Sequence, residues 1–382
     1  MIELDRTTQE RLLGRRVESV LTTADTDAFA RQRILVTGAG GSVGGELVRQ
    51  LAGCQPAQIS LVDHAEYGLF RVEAEVRDLF PRVPITLCLA DISRRVDVQR
   101  AVRDARPTVV FHAAAYKHVT LAEHAVVATA RTNVLGTIEV VRAAKACGAR
   151  LVFISTDKAA EPRSVMGATK RFAELVVLDQ ASAAFRPIVT RFGNILGSSG
   201  SVVEIMLRRA ARGLPVPVTD PQATRFFMTG EEAAALVMKA DRIGRGGEVF
   251  WLDMGDPIRI GELAERVIAL GTPAGRRPAP IETIGLRAGE KVSETLTAQG
   301  LEMRRTTFPR IWAARQRDVA RLDVYRALRL LRHACATGDE AAVVMALTTA
   351  VTDYEPSDAV RGVSTLAQAS PASYVTGASP RA

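Results

Sequence analysis

An apolar pentapeptide, Arg33–Thr37, runs directly into Gly38-Ala-Gly-Gly41-Ser-Val-Gly44, and a helical pattern follows over 44–52. No other stretch constrains the fold as tightly. Glycines at 38, 41 and 44 let the backbone turn sharply, approach a phosphate pair and pack a helix onto a strand. The helix start then aims free N–H groups and the positive end of its dipole at that pair. Gly38, Gly41, Ser42, Val43 and Gly44 are therefore expected to cradle a dinucleotide. Asp63 ends the next apolar strand, Gln58–Asp63, where a carboxylate would accept hydrogen bonds from an adenosine ribose. A carboxylate there repels a 2′-phosphate, so NAD is expected rather than NADP, with His64 and Arg71 nearby to blunt the preference.

Further short apolar runs read as strands at Ile85–Leu89 and at 108–112, 151–155, 187–192 and 249–253. Helical patterns lie between them, as at 133–147 and 168–181. Apolar strands alternating with helices predict an α/β fold, a doubly wound parallel sheet of the Rossmann type, with a smaller C-terminal substrate lobe. Asp91 and Ile92, after the third strand, would suit adenine, although a loop cap is the plain alternative for Asp91. Ala113 and Ala114 follow the fourth strand and are expected beside the cofactor. The expected organisation is an N-terminal arm over 1–30, a dinucleotide-binding domain over 31–196 with a strand at 248–255, and a substrate lobe over 197–315. C-terminal helices over 316–355 and a disordered tail over 356–382, rich in Ser, Ala, Pro and Gly, complete it.

Composition narrows the function classes. The chain has 382 residues, 47% apolar and 24% charged, as a globular protein with a full core should. No window reaches the ~18 apolar residues of a membrane span, and the charged start lacks a signal-peptide core. No membrane insertion is expected, and the expected compartment is the cytoplasm. Cys54, Cys88, Cys147 and Cys335 are scattered and form no CxxC pair, so neither a metal site nor a disulfide framework is expected. The net charge is +8, but no basic run interleaves with aromatics, which argues against nucleic acid and fits an acidic small substrate. Of 50 basic residues only six are lysines: Lys117, Lys145, Lys158, Lys170, Lys239 and Lys291. Lysine, unlike arginine, can lose its proton when its surroundings demand it.

Ordered motifs run through 10–315: FHAAAYKHV (111–119), ISTDKA (154–159), MGATKR (166–171), RFGNILGSSGSV (191–202), TRFFMT (224–229), FWLDMGDPIRI (250–260) and GLRAGEK (285–291). Together with the glycine turn they resemble the nucleotide-sugar 4,6-dehydratases of polysaccharide-biosynthesis type, a branch of the extended short-chain dehydrogenases. The superfamily uses Tyr-x-x-x-Lys, whose spacing puts both side chains on one helical face. Here the lysine is Lys170 and the tyrosine position is Met166, which cannot move a proton. Either the chain is inactive or another group does that work. One subgroup of the family carries methionine at this point, and Thr156-Asp157-Lys158 offers a replacement set at a strand end.

The resemblance implies an NAD-dependent 4,6-dehydration of a UDP-sugar, UDP-N-acetylglucosamine foremost. Lys158, once neutralised by burial and by the charge of Lys170, would remove the carbon-5 proton. Asp157 would protonate the departing carbon-6 hydroxyl, and Thr156 would bond the carbon-4 oxygen. Lys117 is expected near the nicotinamide or the sugar, with Tyr116 as a stand-in acid or base. Asn194, Arg225 and Arg287 are the candidates for the UDP pyrophosphate, and Glu290 for the nucleotide ribose. A homo-oligomer is implied by the resemblance alone. The family's Pro-Leu-Met-Glu after KHV reads Thr120-Leu-Ala-Glu123 here, and RPGEK reads RAGEK. Two rivals stay open: a 4-epimerase or reductase on the same scaffold, and a non-catalytic nucleotide-sugar binder.

Overall fold

Nine strands form the central sheet of the computed structural model, which describes residues 4–18, 20–295, 303–315 and 321–361. In chain order they are β1 (Arg33–Thr37), β2 (Gln58–Asp63), β3 (Ile85–Leu89), β4 (Val109–His112), β5 (Arg150–Ile154), β6 (Pro187–Arg191), β7 (Glu248–Leu252), β8 (Met303–Arg305) and β9 (Ile311–Arg315). Their spatial order is β8-β9-β7-β6-β5-β4-β1-β2-β3. The first seven pair in parallel, and the winding reverses between β1 and β4, which opens a crevice at the carboxyl ends of those strands. Ile34, Leu35 and Val36 of β1 are sealed on both faces, each stabilising the fold by roughly 1.5–3 kcal/mol. β3 is an edge strand and leaves Leu87 and Leu89 exposed.

Several boundaries differ from the sequence reading. β9 runs antiparallel to β7 with Trp312 opposite Trp251, and β8 runs antiparallel to β9. Residues 303–315, expected in the lobe, thus return to the main sheet, because Ile311, Ala313 and Ala314 cover the otherwise open flank of β7. The expected N-terminal arm is packed: the helix Arg6–Leu13 buries Leu12 and Leu13 in a second core with Met206, Leu263 and Val267. The helix expected over 133–147 begins as a π-helical turn, Arg131–Gly136, and becomes α-helical at Thr137–Ala146. The tail is ordered to 361. Ser357 Oγ donates to Glu123 Oε2 at 2.5 Å and Val360 is buried, while 362–382 lie outside the described residues. The helices Arg321–Thr337 and Glu340–Ala350 pack over Val165, Met166 and Phe172. Among the described residues no helix is long and apolar enough to cross a membrane.

One helix, Val165–Asp179, positions much of the chemistry. Ser164 caps its start by accepting from the Gly167 N–H, and Glu123 Oε1 accepts from the Val165 N–H at 2.7 Å. Its buried Glu174 is the anchor. Ser155 Oγ donates to Oε1 at 2.6 Å, Arg191 Nε donates to Oε1 at 2.7 Å, and Arg191 and Arg171 both reach Oε2. Burial pushes the Glu174 carboxyl up, but Arg191 and Arg171 hold it below the usual range. The ends of β5 and β6 are thereby locked to one helical face. Glu174→Ala, which leaves Arg191 buried without its counterion, is expected to lower stability by about 3–5 kcal/mol in urea unfolding. A loss under about 1 kcal/mol would remove this anchor from the account.

Candidate active site

The glycine turn is built for close approach. Gly38 has φ +68°, and a Cβ there would lie 2.6 Å from the Ala114 nitrogen. A Cβ on Gly44 would lie 2.0 Å from the Gly38 carbonyl oxygen. The helix Ser42–Gly53 starts at Gly41 with no side chain capping it, so its first N–H groups face the crevice uncapped. Val43 packs against the main core, and Ser42 Oγ accepts from the Ser199 N–H at 3.1 Å. Asp63 Oδ2 accepts from the Gly40 N–H and Oδ1 from the Ala65 N–H, both at 2.9 Å, so the carboxylate already braces the turn. Ala113 and Ala114 bond back to Thr37 and border Gly38. Asp91 Oδ1 accepts from the Ser93 N–H at 2.8 Å, so this carboxylate caps its own loop. Ile92 beside it is buried against Gly136.

The second group of residues gathers where β5 ends. Thr156 opens a short 3₁₀ turn, Asp157–Ala159, donates to Asp157 Oδ1 at 2.8 Å and accepts from the Lys158 N–H. Lys158 Nζ lies 3.0 Å from Asp157 Oδ1 and donates to Asn194 Oδ1 at 3.4 Å. Asp157 is fully buried, and its Oδ2 has no hydrogen-bond partner among the described residues. A carboxylate the sequence reading missed completes the cluster: Glu294 Oε1 lies 3.7 Å from Lys158 Nζ and 3.9 Å from Arg225 Nε, and its Oε2 also lacks a partner among the described residues. Glycine 167 lets the helix of Met166 sit directly on this turn, for a Cβ there would lie 2.3 Å from the Lys158 carbonyl oxygen. Met166 is buried among apolar side chains one turn before Lys170.

The two lysines exchange the electrostatic roles expected of them. Burial alone would lower Lys158, but Asp157 and Glu294 raise it, so it is charged at rest. Lys170 is the amine driven toward neutrality: burial takes it down to about 7, and Glu174 only partly opposes that. Its Nζ donates to the Ile154 carbonyl at 2.6 Å and sits 3.9 Å over the Phe153 ring. The expectation that burial would neutralise Lys158 fails because two carboxylates flank it.

Around these groups the loop 116–118 is held by a residue with no obvious sequence signal. Asn133, buried in the π-helical turn, accepts from the Tyr116 N–H at 2.8 Å and donates to the Tyr116 carbonyl and to Thr169 Oγ1. Lys117 Nζ donates to Ser198 Oγ at 3.3 Å, and the Tyr116 side chain is exposed. His112 bonds the hydroxyls of Thr37 and Thr137, and burial pushes its pKa down to about 3, which keeps it neutral.

Two of the side chains expected at the pyrophosphate, Asn194 and Arg225, flank the Lys158–Glu294 pair. Asn194 stands beside Lys158. The Arg225 guanidinium donates to the carbonyls of Thr224, Lys291 and Val292 and so clamps the backbone at 291–292. Arg287 is exposed, and Glu290 Oε2 accepts from its backbone N–H at 3.1 Å.

These charges predict a measurable order among the lysines. With carbon-13 at every Cε, Lys170 is expected to titrate near pH 7 in the ligand-free chain. The unfolded chain holds that proton up to about pH 10.5, so this group makes the fold more stable as pH rises from about 7 to 10.5. A Lys170 midpoint above about pH 9 would contradict the desolvation described here.

The matches to known proteins agree with this geometry. Residues 34–316 match the family model described as polysaccharide biosynthesis protein. A probable polysaccharide biosynthesis protein EpsC of Bacillus subtilis is 39% identical over 305 residues, covering 79% of this chain and 51% of that protein, so the chain spans about half its length. A Campylobacter jejuni protein named UDP-N-acetylglucosamine 4,6-dehydratase (inverting) is 30% identical over 275 residues, covering 70% of this chain and 78% of that one. The X-ray structure of Pen from Bacillus thuringiensis superposes with a TM-score of 0.68 at 29% identity, covering 75% of this chain and 90% of that one. By motif, sheet order and these matches, the chain belongs to the polysaccharide biosynthesis protein family and has the extended short-chain dehydrogenase fold.

Proposed function

We propose that the chain is an NAD-dependent hydro-lyase that removes water from a UDP-sugar, UDP-N-acetylglucosamine foremost, to leave the 4-keto-6-deoxy sugar. The observation that carries this reading is the desolvated Asp157–Lys158 pair, 3.0 Å apart on a turn that touches the helix of Met166. Proton-moving groups stand beside the place where the phenol is missing. The name of the Campylobacter jejuni relative supports the same reaction.

The residues fit a dinucleotide. The space at Gly38 and Gly44 is closed to any Cβ, and the uncapped helix start favours phosphate. Asp63 and Lys170 would hold its two riboses, with Ala113 and Ala114 along the floor. The bound nicotinamide would supply hydride removal at carbon 4 and hydride return at carbon 6. The chain's own groups would handle the protons. Asp157, through the Thr156 hydroxyl, would accept the carbon-4 hydroxyl proton and then deliver it to the carbon-6 hydroxyl as that leaves as water. Lys158 would take the carbon-5 proton once its own has been passed on. Lys117, Asn194 and the exposed Arg287 and Glu290 are the side chains we assign to the sugar nucleotide.

Purified protein incubated with NAD and UDP-N-acetylglucosamine is expected to yield a product lighter by one water in mass spectrometry. A new isomer of unchanged mass would favour the epimerase, and no change would favour the binder. Asp157→Asn and Lys158→Met are each expected to abolish that product, by 10²-fold or more, while NAD still binds by calorimetry. Full turnover in either variant would sink the role assignment. Gly38→Ala should instead remove NAD binding itself, since its Cβ would meet the Ala114 backbone, and retained affinity would show the turn is not the cradle.

A further inference from the structure

Building on the dehydratase reading, we infer that Glu294 is a positioning residue that orients the Lys158 ammonium and takes its proton during turnover, so the carbon-5 base is assembled from both lobes. The segment that carries it is fastened to the crevice from several sides. Thr224 bonds Val292 through its N–H and Ser293 through its hydroxyl, and the Arg225 guanidinium grips the Lys291 and Val292 carbonyls. Lys291 Nζ donates to the Ala160 carbonyl at 3.2 Å, just past the turn that holds Lys158. This bracing sets a carboxylate that is only 4% exposed within 3.7 Å of an ammonium, with one oxygen unpartnered. A buried carboxylate with an idle lone-pair oxygen is costly, and a fold keeps one where the charge is used.

The proton count explains the use. Asp157, Glu294 and Arg225 are the charged groups that face Lys158, and Glu294 itself faces Lys291. Two carboxylates set against the Lys158 ammonium and the Arg225 guanidinium leave this cluster without net charge. When Asp157 accepts the carbon-4 hydroxyl proton, it becomes neutral and one support for the Lys158 charge disappears. In a desolvated site, a neutral amine beside a neutral acid then competes with the ion pair. Closing the 3.7 Å gap to hydrogen-bond length lets Nζ pass its proton to Glu294 Oε1. The N–H bond breaks, the O–H bond forms, and the freed lone pair can take the carbon-5 proton. No oxidant or further reactant is needed, and the proton on Glu294 returns to Lys158 once carbon 5 has been reprotonated.

The test uses the full chain and its six lysines, which make Cε-labelled spectra simple to assign. In Glu294→Gln the Lys158 midpoint is expected to fall by about one pH unit or more, while Lys239, paired with Asp25 far from the site, stays unchanged. Dehydratase kcat should drop at least tenfold with little change in KM, and its pH profile should shift with the Lys158 midpoint. Glu294→Asp should recover part of both. An unmoved Lys158 midpoint, or a Glu294→Gln enzyme with wild-type kcat and pH profile, overturns the inference. If Glu294→Gln disturbs Lys239 as well, Glu294→Asp alone is decisive, and an unmoved Lys158 midpoint there overturns it too. A wild-type chain inactive on every nucleotide sugar would sink the dehydratase reading instead, and the lysine titration would still report on Glu294.

Discussion

The buried Glu174 carboxylate is the interaction on which the site depends. It ties the end of β5 through Ser155, the end of β6 through Arg191, and its own helix through Arg171. Charges sealed from water hold their geometry far more strictly than exposed ones, since any displacement leaves one of them unpaired. From that anchor the positions of Lys170, four residues before it, and of Thr156–Lys158, just past Ser155, both follow. Gly167 completes the arrangement by letting helix and turn meet backbone to backbone.

Desolvation acts on two lysines in this cleft and gives opposite results. Lys170 has the Phe153 ring, the Ile154 carbonyl and the more remote Glu174, and is driven toward neutrality. Lys158 has two carboxylates within 4 Å and keeps its charge. The number of nearby anions, not burial, separates the lysine driven toward neutrality from the one that keeps its charge. One of those anions, Glu294, comes from the segment after β7 whose backbone Arg225 clamps, far along the chain from the turn that holds Lys158.

What could be read along the chain was what local rules govern. The glycine turn was legible because strand, turn and helix start are contiguous and each glycine has a steric reason. The place of Thr156-Asp157-Lys158 at a strand end was legible because the apolar run before it stops there. The grip of Arg225 on carbonyls could not be read along the chain, because two of the three lie 66 and 67 positions away. Asp91 was open to two readings along the chain, since an aspartate can serve a ligand or its own loop, and its loop contact is seen only in the fold. Asn133 and Glu294 left no trace. The first depends on a π-helical turn, and the second on a pairing between residues 69 positions apart, Thr224 and Ser293.

By itself, the order of residues determined the doubly wound sheet, the phosphate turn and the substitution of methionine for a phenol, because these rest on backbone sterics and apolar periodicity over a few residues. Only the tertiary structure decided which lysine is charged, which arginine is committed to backbone, and how a distant glutamate meets the Asp157–Lys158 pair. Proton affinities depend on distances between groups and on exclusion of water, and neither exists until the chain has closed around them.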